Sequence, residues 1–330
     1  MKGTLPRNQI LLGDVRTRLS ELPSSSVDTV ITSPPYFALR NYGHPQQIGA
    51  EADVNAWVEQ LRLVCRQLAQ VLKPTGSLWL NVGDSYSDNS RQGALPKSLL
   101  LGPQRLSIAL AQDGWVVRNQ VIWDKTNSMP ASVTDRMSCK YEVLLLLVRS
   151  RSYFFDLDAV RLPATSSKLP GNSARTTYLP PHTIPQHSGI DLNFGLHKLK
   201  RIGRVSHPLG KNPGDVWQYP TAGFRGAHFA AFPLSLVERP LLTTCPKQVC
   251  NRCGAPWTRS PVDRTSDMPC LGLLEPSCGC NSGTTPGVVL DPFMGSGTIA
   301  LAARNHGRDW LGIELNAEYA SMAHARLARG

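Results

Sequence analysis

Apolar positions along the chain fall into short blocks whose spacing switches between strand and helix periods. Ile10–Val15 and Val27–Thr32 are compact runs of strand length, and the second breaks off at Ser33-Pro34-Pro35-Tyr36. Trp57, Leu61, Val64, Leu68, Val71 and Leu72 recur at helical spacing. They predict a helix over Trp57–Leu72, closed by Lys73-Pro74-Thr75-Gly76. Ser77–Val82, Val116–Trp123 and Tyr141–Val148 read as strands, and Leu106–Ala111 as a helix ended by Gly114. Near the C-terminus the alternation resumes: strand Val288–Leu290, helix Thr298–Asn305, strand Trp310–Ile313 and an amphipathic helix Ala317–Leu327. Such alternation predicts an α/β fold whose mainly parallel sheet is covered on both faces.

Two stretches break the alternation. From Ala164 to Pro213 Pro, Ser, Thr, Gly and His are frequent and no period is visible. Seven basic residues (Lys168, Arg175, Lys198, Lys200, Arg201, Arg204, Lys211) accompany a single acidic one, Asp191. The second stretch holds six of the eight cysteines, between Cys245 and Cys280. The simplest picture is one sheet built from both ends of the chain, with a basic insertion and a cysteine-rich knob.

Charge sharpens this picture. The 330 residues carry 35 Lys+Arg against 24 Asp+Glu, a formal +11, which suits a polyanionic partner. No apolar run approaches the ~20 residues of a membrane span, and no apolar segment follows the basic start at Lys2. A cytoplasmic protein with reduced cysteines is therefore expected. Clustered cysteines then point to metal before disulfide. Cys250-x2-Cys253 and, 24 residues on, Cys278-Gly279-Cys280 fit a structural tetrahedral zinc site. Cys245 and Cys270 stand as competing ligands, and a metal-free loop is the bland alternative. Scattered His182, His187, His197 and His207 read as surface histidines.

Two motifs carry chemistry. Asp291-Pro292-Phe293-Met294-Gly295-Ser296-Gly297-Thr298 follows a strand and opens a helix. Glycines there permit a tight turn and a close ligand approach, and a helix N-terminus offers free N–H groups. Glu314, 16 residues beyond Thr298, ends the next strand, where an acid accepts hydrogen bonds from a ribose diol. Neither a Gly-Lys-Ser/Thr phosphate loop nor a full Gly-x-Gly-x-x-Gly occurs, which counts against nucleotide hydrolysis and nicotinamide chemistry. The second motif, Thr32-Ser33-Pro34-Pro35-Tyr36, also ends a strand, the place where open α/β sheets bind ligands.

Together these motifs resemble the DNA amino-methyltransferases that use S-adenosylmethionine, in the permuted order of the beta class. The resemblance implies a Rossmann-like sheet and covers roughly residues 1–160 and 213–330. It implies cofactor contacts from Asp14, Asp291, Phe293, Gly295, Ser296, Gly297, Thr298 and Glu314. Gly13-Asp14 matches the family's opening segment, whose acid meets the adenine amine. Gly214-Asp215-Val216-Trp217 and His228-Phe229-Ala230-Ala231-Phe232-Pro233 match the stretch ahead of the cofactor loop, so His228 and Pro233 are expected near the methionine end. Lys125, Asn127, Pro130 and Arg136 resemble a stretch on the DNA side.

In such a site Ser33 Oγ and the Pro34 carbonyl would accept hydrogen bonds from a flipped base's exocyclic amine and aim its lone pair at the methyl donor. Pro34 and Pro35 stiffen the loop, and Tyr36 would stack on the base. A Tyr36 or Phe293 ring would also attract the sulfonium. Within the family Ser-Pro-Pro-Tyr goes with cytosine N4, so N4-methylcytosine is expected. N6-adenine, and a silent zinc-containing DNA-binding module, are the alternatives. C5 methylation is disfavoured, since Pro269-Cys270 lies in the wrong order. The expected division is a catalytic part (1–162), a target-recognition insertion (163–213), a cofactor-binding part (214–244 and 286–330) and a zinc insertion (245–285). Double-stranded DNA is the expected partner, contacted through Lys168, Arg175, Lys198, Lys200, Arg201 and Arg204; Arg252, Arg259 and Arg264 read as solvated surface before further contacts. A separately encoded restriction endonuclease and oligomer formation are both compatible with the sequence.

Overall fold

The computed structural model describes residues 4–40, 42–163, 207–221, 233–262 and 270–329. Eight strands form its centre: β1 (Gln9–Leu12), β2 (Val27–Thr32), β3 (Leu72–Val82), β4 (Val116–Lys125), β5 (Tyr141–Val148), β6 (Val216–Tyr219), β7 (Val288–Asp291) and β8 (Asp309–Glu314). They lie in one sheet in the order β1-β8-β7-β2-β3-β5-β4-β6. Both chain ends contribute adjacent strands: β1 and β8 pair in parallel, as do β8 and β7, β7 and β2, and β2 and β3.

One strand departs from the parallel expectation. β5 runs antiparallel to both β3 and β4, while β6 pairs in parallel with β4. The reversal has a consequence for the site. The start of β5 lies beside the end of β3, so Val143 pairs with Val82, and the end of β4 reaches the same edge.

Helices α1 (Val15–Glu21), α2 (Val54–Val71) and α3 (Gly102–Gln112) cover one face; α4 (Leu234–Thr244), α5 (Thr298–Asn305) and α6 (Ala317–Arg329) cover the other. Residues of β3 show why the sheet is buried on both sides. Leu78 and Leu80 join one apolar core with Leu61 and Leu68 of α2, whereas Trp79 joins the other with Trp217 and Leu241. Fully burying one such leucine contributes about 1.5–3 kcal/mol.

Local chemistry sets the boundaries. Asp53 caps α2 by accepting from Asn55 and Ala56 N–H, so the helix begins earlier than its apolar period predicts. The predicted strand Ile10–Val15 is shortened because Asp14 caps α1 by accepting from Arg16 and Thr17 N–H. Lys73-Pro74-Thr75-Gly76, expected to separate helix from strand, lies within β3.

The basic stretch leaves and rejoins the fold at one place. Leu162 and Lys211 form an antiparallel bridge, with both backbone N–H groups donating across it. Lys168, Arg175, Lys198, Lys200, Arg201 and Arg204 lie outside the described residues, as do His228 and Arg264. No helix among the described residues is long and apolar enough to cross a membrane.

Candidate active site

Both motifs open into one cleft at the C-terminal ends of β2, β7 and β8. The cleft, about 900 Å³ including its open mouth, is lined by Asp14, Ser33, Pro35, Phe293, Gly295 and Glu314 among others. Gly295 (φ +51°) and Gly297 (φ +76°) take left-handed backbone, which favours glycine at both turns. Glu314 braces this turn: its Oε2 accepts from Gly295 N at 2.7 Å and its Oε1 from Asn316 N at 2.8 Å. Burial raises the Glu314 pKa against these stabilising bonds. Each of its oxygens keeps acceptor capacity for a diol.

Asp14 lines the same cleft, one residue beyond Gly13, whose N–H donates to the Glu314 carbonyl at 2.8 Å. Its Oδ1 accepts from Arg16 N and Nε, and its Oδ2 from a second side-chain nitrogen of Arg16 at 2.7 Å. The hydrogen-bonded Arg16 guanidinium lowers the Asp14 pKa, so this acid stays an anionic acceptor. Phe293, Ile48 and Ile313 give the cleft apolar walls. Two acceptors, a glycine turn and apolar sides suit a nucleoside with polar edges. The segment after the Ser-Pro-Pro-Tyr loop supplies further lining from Tyr42, His44, Gln46 and Gln47. Apolar period and motif spacing give no sign of these four, because they sit in an irregular stretch. Pro233 precedes α4 as its cap residue and is absent from the cleft lining.

The Ser33–Tyr36 loop is held from behind. Trp57 Nε1 donates to the Pro35 carbonyl at 2.9 Å. The Tyr36 hydroxyl is held at the ring edge: it donates to Glu142 Oε2 at 2.6 Å and accepts from Asn81 Nδ2 at 2.8 Å. Its ring packs so closely on Gly83 that a Cβ there would stand 2.6 Å from Tyr36 Cε2. Burial, and then the neighbouring Glu142 charge, push the Tyr36 phenol well above its usual 10. Ser33 Oγ lies 3.1 Å from Tyr36 Oη. Lys125 pairs with Glu142 Oε1, so this lysine is engaged inside the fold. Glu142 and Asn81 escape the sequence reading because they lie in strands read only for their apolar neighbours.

The cysteine cluster forms at the opposite end of the sheet. The thiol sulfurs of Cys250, Cys253, Cys278 and Cys280 all lie within 4.8 Å of one another. Tetrahedral zinc with ~2.3 Å Zn–S bonds requires sulfurs about 3.8 Å apart, so the four fit such an ion. Gly254 (φ +70°) closes the turn after the first pair, and its N–H donates to the Cys250 carbonyl at 2.8 Å. The Ser282 hydroxyl and the N–H groups of Cys253 and Arg252 lower the Cys250 thiol, while the neighbouring thiols raise that of Cys280. The two competing ligands drop out: Cys245 is buried in the core and Cys270 lies outside the group. The turn is tied to the starts of β2 and β7. Lys73 Nζ donates to the Gly254 carbonyl and to Asp28 Oδ1, and Asp28 Oδ2 accepts from Val288 N. Arg259 is paired with Asp156 at 2.7 Å.

The sequence profile of the N6/N4 DNA methylases matches residues 27–325. The chain belongs to the N6/N4 DNA methylase family. M.SmaI of Serratia marcescens, a Type II methyltransferase, is 30% identical over 351 residues, covering 100% of this chain and 94% of that protein. M.XycI of Xanthomonas campestris pv. cyanopsidis, also a Type II methyltransferase, is 32% identical over 337 residues, covering 96% and 86%. Solved structures show the same fold. The PvuII cytosine-N4-specific DNA methyltransferase superposes with a TM-score of 0.58 at 16% identity, covering 98% of this chain and 87% of that one. TTHA0409 of Thermus thermophilus, complexed with S-adenosyl-L-methionine, gives 0.52 at 24% identity, covering 97% and 95%. This member of the DNA methylase family is thus an amino-methyltransferase with the beta-class motif order, catalytic loop before cofactor turn.

Proposed function

We propose that this DNA methyltransferase moves the methyl group of S-adenosylmethionine onto the exocyclic N4 amine of a cytosine flipped out of duplex DNA. The observation that carries the reading is that Ser33 and Pro35 line the same cleft as Asp14, Gly295 and Glu314. Bound there, S-adenosylmethionine supplies an electrophilic methyl carried on a sulfonium. Glu314 takes the ribose diol, Asp14 the adenine amine, and the Gly295–Gly297 turn the backbone approach. Ser33 Oγ and the Pro34 carbonyl accept the two N–H groups of the target amine and turn its lone pair toward the methyl. Catalysis by orientation of this kind is worth several orders of magnitude without any covalent enzyme intermediate. Ser33 at the head of the loop favours cytosine N4 over adenine N6. The test is transfer of labelled methyl from S-adenosylmethionine to duplex DNA. Wild type should label cytosine and Ser33→Ala should not; label on adenine would overturn the choice of base.

Zinc is the second part of the proposal. The four grouped thiols and the left-handed Gly254 support one structural ion held by Cys250, Cys253, Cys278 and Cys280. Elemental analysis of protein purified without chelator should find one zinc per chain, and none in a variant with Cys278 and Cys280 both changed to Ser. The stretch 163–213 is proposed to reach DNA, since its ends are pinned together and it carries the excess of basic charge. Type II relatives support a separately encoded endonuclease as the companion activity.

A further inference from the structure

We infer that Glu142, acting through Tyr36, fixes the direction of the Ser33 hydroxyl and so makes the site selective for an amine. The inference rests on Ser33 being the residue that meets the target base. Glu142 stands near the start of β5, and the reversal of that strand delivers it to the edge of the sheet where the Ser-Pro-Pro-Tyr loop lies. Lys125 holds Glu142 Oε1, and Asn81 Nδ2 donates to Glu142 Oε2 at 2.7 Å. Both oxygens of Glu142 thus accept from donors, and a carboxylate can only accept hydrogen bonds.

The consequence runs outward one bond at a time. Tyr36 Oη lies 2.6 Å from Glu142 Oε2, so the phenol proton points at the carboxylate. Tyr36 Oη is left as an acceptor. It takes a bond from Asn81 Nδ2 at 2.8 Å and faces Ser33 Oγ at 3.1 Å. That last contact is therefore a donation from Ser33 to Tyr36. With its hydrogen turned toward Tyr36, Ser33 Oγ is an acceptor: it takes a long 3.5 Å bond from Asn81 Nδ2 and has lone-pair capacity left for the cleft. A target amine brings N–H donors and is matched. A base edge bearing a carbonyl brings an acceptor and meets only lone pairs. Asn81 reinforces the polarity, since its amide nitrogen, not its oxygen, faces Tyr36 and Glu142. Glu142 is thus a positioning residue, and Ser33 remains the group that touches substrate.

The test is the single-turnover methyl-transfer rate of wild type, Ser33→Ala, Glu142→Gln, Tyr36→Phe and the double variant Ser33→Ala/Glu142→Gln. Glu142→Gln and Tyr36→Phe should each slow transfer about 10- to 100-fold, as expected when a charge-assisted bond is lost. Affinities for S-adenosylmethionine and for DNA should stay within about twofold. In the Ser33→Ala background Glu142→Gln should add almost nothing, because residues acting as one unit are non-additive. Tyr36→Phe removes a single oxygen, so it carries the test if Glu142→Gln, which strands Lys125, fails to fold. The inference is overturned if Ser33→Ala slows transfer while Tyr36→Phe does not, or if the Glu142→Gln loss multiplies that of Ser33→Ala. A wild-type rate in Ser33→Ala would instead overturn the reading of the catalytic loop itself.

Discussion

Thr32 Oγ1 donates a 2.7 Å hydrogen bond to Asp291 Oδ1 across 259 residues of sequence. Thr32 ends β2 just before the catalytic loop, and Asp291 ends β7 just before the cofactor turn. Both are buried. The bond therefore fixes the two motifs to each other at the point where their strands lie side by side. Thr32→Val keeps the shape and removes the hydroxyl, leaving Asp291 with the Phe293 N–H among its partners. Urea unfolding should show a loss of about 1–3 kcal/mol, the effect of stranding a buried polar group. Unchanged stability would mean that the bond does not tie the motifs.

Burial also pushes the Asp291 carboxyl from its ordinary 3.8 up to about 7. The unfolded chain releases this proton near pH 4 and the folded chain holds it to about 7. Stability contributed by this group is therefore highest at acid pH, falls as pH rises between about 4 and about 7, and levels off above. Subtracting the unfolding profile of Asp291→Asn from that of wild type should expose the fall, at most about 1.4 kcal/mol per pH unit. A difference profile flat across that window would contradict a buried, mostly protonated Asp291.

Gly83 gives a steric prediction. A Cβ there would press on the Tyr36 ring at 2.6 Å, and its three nearest neighbours would all be atoms of that ring. Gly83→Ala should displace Tyr36 and with it Ser33. Methyl-transfer rate should drop by about 10-fold or more, since misplacement on the ångström scale is damaging in oriented catalysis. Calorimetry should find S-adenosylmethionine affinity unchanged, because Gly83 is not part of the cleft lining.

The cysteine group lies at the starts of β2 and β7, whereas the motifs lie at their ends. A chelator should therefore lower the unfolding temperature, yet protein that remains folded should bind S-adenosylmethionine as before. Loss of cofactor affinity at full folding would contradict a purely structural role for the proposed zinc.

Much of this arrangement is legible in the sequence, for physical reasons. Val27–Thr32 and Val288–Leu290 are short apolar runs ending in special turn residues, and such runs form central parallel strands with little choice. Thr298–Asn305 begins where Gly297 frees the backbone, and its predicted bounds match the structure. Asp14, Gly295 and Glu314 are visible because each sits at or just beyond a strand end within a motif. Glu142 and Lys125 are harder. The apolar run Val143–Val148 identifies a strand without giving its direction, and only the reversal of β5 brings Glu142 beside Tyr36. The motif alone gives no sign that the Tyr36 hydroxyl is bound to Glu142 and Asn81. Asp14 and Asp53 are caps as well as acids, and a cap is visible only once the helix it starts is known.

The central claim is transfer to cytosine N4 through Ser33. Nucleoside mass spectrometry of DNA from a methylation-free host, expressing wild type or Ser33→Ala, tests it most directly. N4-methylcytosine with wild type and none with the variant is the predicted result. N6-methyladenine in its place, or N4-methylcytosine undiminished in the variant, would contradict it.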